Sequence, residues 1–243
     1  MAFEHGRETA VYVSKYNLSA YLVASDVNAV VDSHDSTTYG DAAHEKSPGL
    51  RDGSATLQGI FDVTLDGYVE SWLGSASGEA FTVALGGAAL ADRCMTGKVR
   101  HVSYGSSAPV GGMVAVTARV EGDGGIDPGV IIHTNEAETA TAGETGVDSG
   151  IVGGTSNGGV AVIHCFTVSG TNPTLTSKLQ HCADNATWAD FSPAVAFTQL
   201  TAAGSERILI PAATAVARYV REYHTIGGTN TPTFTYAVAL ARR

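Results

Sequence analysis

Apolar residues in this chain return at every second position, segment after segment. Thr9-Val11-Val13, Val27-Ala29-Val31, Leu57-Gly59-Phe61-Val63 and Val114-Val116-Ala118-Val120 alternate with smaller or polar neighbours. Val160-Val162-His164-Phe166-Val168, Tyr219-Arg221-Tyr223 and Phe234-Tyr236-Val238-Leu240 repeat the pattern in the second half. A period of two puts successive side chains on opposite faces of an extended backbone, which is the mark of half-buried antiparallel strands. The expected fold class is mainly β, an antiparallel sandwich or barrel. Turns are expected at Gly86-Gly87, Gly111-Gly112, Asp123-Gly124-Gly125, Gly153-Gly154, Asn157-Gly158-Gly159 and Gly227-Gly228.

One segment breaks the rhythm. Val69, Trp72 and Leu73 recur at helical spacing, with Asp66 as a candidate N-cap and Gly74 as a stop, which predicts one short helix packed on a sheet by those three side chains. A second short helix is expected around Ala88, Leu90 and Asp92. The polar, glycine-rich run from Glu121 to Gly129 has turn chemistry and little to bury, and it divides the chain into residues 1–125, with the helix, and residues 126–243, with strands only. The second part is expected to be a further β-sandwich domain.

Composition excludes several function classes. Hydrophobic residues are 44% of the chain, enough for a core, yet no apolar stretch approaches the roughly 18 residues of a membrane span. The formal net charge is −10, the opposite of the Lys and Arg excess that binds nucleic acid through its phosphates. Residues 1–8 carry no signal-peptide pattern, so synthesis in a cytoplasm is expected. Cys94, Cys165 and Cys182 are odd in number and form no CxxC, and they are expected to be reduced, buried small hydrophobes.

No constellation calls for an enzyme. Gly154-Thr155-Ser156-Asn157-Gly158 matches G-x-S-x-G, but a nucleophile elbow needs a helix after the serine, and here a strand follows. Asp32, His34, Asp35, Asp41 and His44 are explained by a polar loop without metal. The other histidines, His5, His101, His133, His164, His181 and His224, form no H-x-H or H-x-x-x-H pair, and His164 is expected to be a hydrogen-bonded core residue. No catalytic residue, metal ligand or cofactor is assigned.

The stretch 32–53 is the more informative feature. As a loop of that length it exceeds the usual connections of a compact domain and is expected to meet a partner. Its contact residues are taken as Asp35, Thr37, Thr38, Tyr39, Asp41, Glu45, Lys46, Leu50, Arg51 and Asp52, a mixture of both charge signs around two apolar groups that suits a protein–protein contact. Residues 103–112 look like a second hairpin tip.

These residues resemble a family. His5-Gly6-Arg7-Glu8-Thr9-Ala10-Val11-Tyr12-Val13, then Tyr16-Asn17-Leu18-Ser19-Ala20-Tyr21-Leu22, is similar to the first strand pair of the tail tube (major tail) proteins of long, non-contractile-tailed phages of the siphovirus type. Thr37-Thr38-Tyr39-Gly40-Asp41 followed by Pro48-Gly49-Leu50-Arg51-Asp52 is the most specific part, and the resemblance covers about residues 6 to 122. The chain departs from the family phrase at Ser14-Lys15-Tyr16-Asn17, where Gly and Asp are commoner. The resemblance implies a structural virion protein made in the bacterial cytoplasm, polymerising as stacked rings into a hollow tail tube. Rings would be hexameric, or trimeric if both halves supply equivalent tube domains. Partners would be other copies, the tape measure, terminator and baseplate or tip proteins, and DNA passing transiently through an acidic lumen during ejection. The part 126–243 would decorate the exterior or form a second tube-like unit.

Other classes stay open at this point. A carbohydrate-binding or adhesin-like sandwich would use Trp188, Tyr219 and Tyr223 as a sugar platform, and a head–tail connector or capsid decoration protein would share the fold.

Overall fold

The computed structural model describes residues 5–150 and 154–243, so Gly153 of the expected Gly153-Gly154 turn and the first four residues of the N-terminal reading lie outside it. Among the described residues the chain is mainly antiparallel β with one short α-helix. The strands are β1 (Ala10–Val13), β2 (Tyr16–Asn17), β3 (Leu22–Asp35), β4 (Lys46–Ile60), β5 (Glu79–Ala84), β6 (Arg93–Ser107) and β7 (Ala115–Glu138). They continue as β8 (Ala142–Gly143), β9 (Val147–Asp148), β10 (Gly159–Cys182), β11 (Ala189–Asp190), β12 (Gly204–Ile210) and β13 (Tyr219–Arg242). The helix α1 (Val63–Trp72) lies between β4 and β5.

The two compact units differ from the sequence division at 125. Unit 1 gathers Met1–Tyr21, Glu79–Gly97 and Asp127–Arg243, and unit 2 gathers Leu22–Gly78 and Lys98–Ile126. The reason is pairing between distant segments: β1 pairs with β5, and β13 pairs with the later part of β7. The expected turn at Asp123-Gly124-Gly125 is instead the interior of β7. Gly124 and Gly125 have φ of 89° and 90°, a backbone that glycine adopts without a Cβ penalty, so the strand twists there and continues.

Unit 1 is built on β10 and β13, which pair from Gly159↔Arg242 to Cys182↔Tyr219. Gly227-Gly228 therefore does not reverse the chain. It sits inside β13 opposite a register shift between Thr171 and Thr174, the place of a bulge. Residues from both ends of these strands, Ile163, Leu175, Leu179, Val220, Phe234 and Leu240, meet in one core with Phe191 and Phe197. The neighbours Val160 and Val162 join a second cluster with Ala80 and Ala241, so the start of β10 is covered on both faces. Burying a Leu, Ile or Phe side chain stabilises by about 1.5–3 kcal/mol, and a strand buried on both faces holds its register accordingly.

His164 lies within that strand, fully buried, with Nε2 2.9 Å from Thr82 Oγ1 and Nδ1 2.7 Å from the Ser14 carbonyl. It is the core histidine its apolar neighbours lead one to expect. Cys94, Cys165 and Cys182 are buried and free. Burial pushes the Cys94 thiol up to about 12 and the Cys165 thiol up to about 11, so neither ionises at neutral pH. The second expected helix is absent: the segment around Leu90 is a turn closed by the Asp92 carboxylate, which accepts from the Ala89 N–H at 2.8 Å.

In unit 2 the strands run in the order β3, β4, β7, β6. One face presents Ala55, Leu57, Val116, Ala118, Val120 and Val99, all buried. The helix starts four residues earlier than expected. Asp62, not Asp66, is its N-cap, accepting from the Thr64 and Leu65 N–H groups at 2.8 and 3.4 Å, and Val63 belongs to the helix although it continues the alternation of β4. Its buried side chains are Leu65, Val69 and Trp72, whereas Leu73 is the C-cap and 48% exposed. His101 of β6 hydrogen-bonds through Nδ1 to the Val69 carbonyl at 3.1 Å, and the Tyr104 hydroxyl donates to Asp66. Those two contacts dock the helix on its sheet.

Candidate functional site: an exposed arm and a buried polar cluster

The stretch expected to be a 22-residue loop is mostly a hairpin. β3 and β4 pair from Leu22↔Gly59 out to Asp35↔Lys46, and only residues 36–45 form the connection. Alternation fades at the outer end, where both faces of the ribbon are open, so the period-two signal that marks strands is missing there. β4 pairs with β7 through Ser54–Ile60, which leaves residues 46–53 with no ladder partner but β3. Among the described residues β3 pairs with β4 alone, so its outer edge is free. Every residue from 28 to 48 is exposed.

The tip is shaped by its own polar side chains. Asp35 Oδ1 accepts from the Thr37 N–H at 3.0 Å, and Asp35 Oδ2 lies 3.2 Å from His44 Nδ1. The Glu45 N–H donates to Thr37 Oγ1 at 2.9 Å, while Asp41 Oδ2 accepts from the Thr38 N–H at 2.6 Å and the Thr38 hydroxyl at 2.9 Å. Hydrogen bonds from Thr37 and from Thr38 hold the Asp35 and Asp41 carboxyls below the usual carboxylate range. Of the ten expected contact residues, Asp35, Thr37, Thr38 and Asp41 therefore build the tip, and the Glu45 backbone joins them. Tyr39 is entirely exposed and Leu50 is 79% exposed. Lys46 pairs in register with Asp35, Arg51 with Val31, and Asp52 Oδ1 accepts from the Gly53 N–H at 2.7 Å.

Unit 2 carries most of the exposed apolar surface. Thirteen of the fifteen exposed large apolar residues belong to it, among the described residues. Val30, Val31, Tyr39 and Leu50 lie on the arm. Ile60, Phe61 and Val63 lie at the other end of β4, where the Phe61 N–H bonds the Val114 carbonyl at 2.9 Å and brings Met113 and Val114 alongside. Apolar patches of this kind mark interaction surfaces.

Unit 1 holds a different feature, which the sequence spacing did not bring out. His133, Glu138, Glu144, Glu222, His224 and Tyr236 come together in its interior. His133 stacks on Tyr236 with centroids 3.9 Å apart and meets His224 edge-on at 5.8 Å. His224 Nδ1 lies 2.9 Å from Glu222 Oε2. Burial opposes a charge on His224, yet the Glu222 hydrogen bond and the Glu222 and Glu138 charges hold it above the ordinary histidine range. Burial raises the Glu144 carboxyl. Local spacing shows only Glu222 and His224, two apart on β13; the β7–β13 pairing brings in His133 and Glu138, and the β8–β13 pairing brings in Glu144, whose N–H donates to the Glu222 carbonyl.

Two sequence candidates take ordinary positions. Gly154-Thr155-Ser156 lines an open depression with His181 and Ala217, and β10 follows where an elbow would need a helix. The faces of the aromatic trio are covered by cations: Arg221 lies 4.4 Å from the Trp188 ring and 5.9 Å from Tyr223, Lys178 5.3 Å from Tyr223, and Arg218 5.2 Å from Tyr219.

Fold and surface together define a β-rich chain with a projecting hairpin and open apolar ends. No family model matches the chain, and no curated protein matches it. Among solved structures it is similar to a chain of the virion of a native gene transfer agent particle, with 16% identity, 51% of this chain and 97% of that chain covered, and a TM-score of 0.42. It is similar to a chain of the sheath–tube complex of the PVC extracellular contractile injection system in its extended state, at 13% identity, 53% and 92% coverage and TM-score 0.42. It is also similar to the SPP1 Dit protein, a hub adsorption apparatus protein of phages infecting Gram-positive hosts, at 11% identity, 96% and 98% coverage and TM-score 0.36.

Proposed function

We propose that this chain is a structural subunit of a phage-tail-type tube, non-enzymatic, whose copies join through unit 2 into stacked rings around a DNA channel. The observation that carries the reading is the two-stranded arm. An isolated hairpin is marginal in water, and a free edge strand is a template for another chain. An arm that keeps 14 residues of β3 unpaired on one side is therefore built to be completed by a neighbour. The apolar groups at the two ends of β4 supply a head and a tail. Contacts of that heterologous kind propagate into a filament when the rotation does not close.

The phrase running from Thr37 to Asp52, which resembles tail tube proteins, forms this arm. Six subunits to a ring is the expected stoichiometry, and residues 126–243 are read as an exterior decoration or a second tube-like unit. The net charge of −10 fits a lining that repels phosphate and lets DNA pass without sticking.

The test is negative-stain electron microscopy of the full chain beside a variant lacking residues 37–51. Rings or hollow filaments from the wild type, with folded monomers from the deletion, are the expected result. A wild type that stays monomeric at high concentration, or a deletion variant that forms the same filaments, overturns the reading.

A further inference from the structure

We propose that the buried cluster of unit 1 is a binding site for one divalent transition ion of the zinc class, held by His133 Nε2, Glu138 and Glu144, with His224 Nε2 at the fourth corner. The inference is independent of the tube reading.

The argument begins with His133, whose side chain is wholly buried. Its Nδ1 lies 2.7 Å from the Thr134 carbonyl, an acceptor, so Nδ1 carries the hydrogen and Nε2 presents its lone pair. Nε2 has no hydrogen-bond partner. It faces Glu144 Oε1 at 3.4 Å and Glu138 Oε1 at 3.8 Å. A lone pair opposed by two carboxylates is repulsive unless a proton or a metal ion lies between them. A proton on Nε2 would draw a carboxylate to about 2.7–2.9 Å, the length of a charge-assisted hydrogen bond. The observed separations are longer: the 3.4 Å to Glu144 equals the edge of a tetrahedral coordination shell, and the 3.8 Å to Glu138 exceeds it by about 0.2 Å, a gap that the Glu138 side chain closes on binding. Four donors about 2.0–2.2 Å from a tetrahedral ion stand about 3.3–3.6 Å from one another.

The surroundings fit the same ion. His224 Nε2 is 3.5 Å from Glu138 Oε2; its hydrogen now goes to the Ala140 carbonyl while Nδ1 donates to Glu222, so His224 joins the ion by releasing the Nε2 proton to solvent. Glu222, fully buried, holds His224 Nδ1 at 2.9 Å, and the Thr134 carbonyl holds His133 Nδ1, which are the outer partners that orient metal-bound imidazoles. The ligand atoms of His133, Glu138 and Glu144 lie within 4.8 Å of one another, as do those of His133, Glu222 and His224. Glu138 and Glu144 keep 22% and 17% of their side chains exposed, so an ion has a way in. Imidazole with carboxylate selects zinc-class ions, whereas calcium and magnesium take oxygen alone.

The experiment is calorimetric titration of zinc sulfate into tag-free, chelator-treated full-length protein, followed by zinc-edge X-ray absorption. One ion per chain is expected, with a first shell of nitrogen and oxygen near 2.0 Å, little competition from magnesium, and at least tenfold weaker binding in Glu144→Gln and Glu138→Gln. Asp184→Asn, on an exposed loop, should bind as the wild type does. Absence of stoichiometric binding by the folded wild type, sulfur in the first shell, or undiminished affinity in both glutamine variants overturns the proposal. Because Glu138 and Glu144 are partly exposed, their variants are expected to fold, and circular dichroism checks that they do.

Discussion

His164 and Thr82, 82 residues apart in sequence, meet side chain to side chain at 2.9 Å in a site closed to water. Tyr12 and Phe166 wall the same imidazole, at centroid distances of 5.7 and 6.3 Å. Burial lowers the His164 pKa to about 4, with the Ser14 carbonyl opposing in part. A histidine whose folded pKa is depressed binds fewer protons folded than unfolded between that value and its ordinary one, near 6.5. Its contribution to stability is complete above about pH 6.5 and is lost as pH falls toward 4. The loss should amount to about 3 kcal/mol at full extent. Urea unfolding at pH 7.5, 5.5 and 4.5 checks this, with His164→Asn as the non-titrating reference. Parallel pH profiles for the two proteins would contradict it.

The helix gives a paired test. Leu65 is 1% exposed and Leu73 is 48% exposed. Leu65→Ala should leave a cavity and cost about 3 kcal/mol, while Leu73→Ala should stay within about 0.5 kcal/mol. Equal effects in thermal unfolding would mean that the helix buries a different face.

At the root of the arm a side chain has no room. A Cβ on Gly53 would stand 2.7 Å from the Asn28 carbonyl oxygen and 2.9 Å from Ile126 Cβ. Gly53→Val should destabilise by about 2–3 kcal/mol. At the tip, a Cβ on Gly40 would meet nothing within 4 Å, and Gly40→Ala should be near neutral. Denaturant midpoints of the two variants provide the comparison.

Leu50 and Tyr39 separate assembly from folding. Both point outward and take no part in the tip's hydrogen bonds. Leu50→Lys with Tyr39→Ala should leave the melting temperature within a degree or two and abolish self-assembly, as read by light scattering. Unimpaired assembly would remove the arm from the interface.

The buried thiols give a simple check on packing. Cys94 and Cys165 should resist a thiol reagent in the native protein at pH 8 and react on unfolding. Rapid native labelling of both would contradict the core described above.

Some of this is legible locally. Alternation in the inner part of β4 is the imprint of one covered face, whereas β1, the first half of β10 and the last part of β13 are buried on both faces and are legible as short apolar runs with a period of two among small neighbours. The Trp72 face of the helix is visible for the same reason, with its period of 3.6, although a β-branched start at Val63 and Thr64 disguises where it begins. The outer arm, residues 32–53, reads as a loop in sequence because both faces of the ribbon are open there, and the alternation of Val27, Ala29 and Val31 does not continue past its base.

The amino-acid sequence by itself determined the β class, the helix that carries Trp72, the core histidine and the acidic balance, since each rests on neighbours a few residues apart or on composition alone. The tertiary structure decided the make-up of the two units, the direction of β7 and β13 through their glycines, and the meeting of His133 and Glu138 with Glu144 and His224. Those features depend on which distant strands pair and in what register. That choice is settled by burial summed over whole sheets, and no short window of sequence contains it.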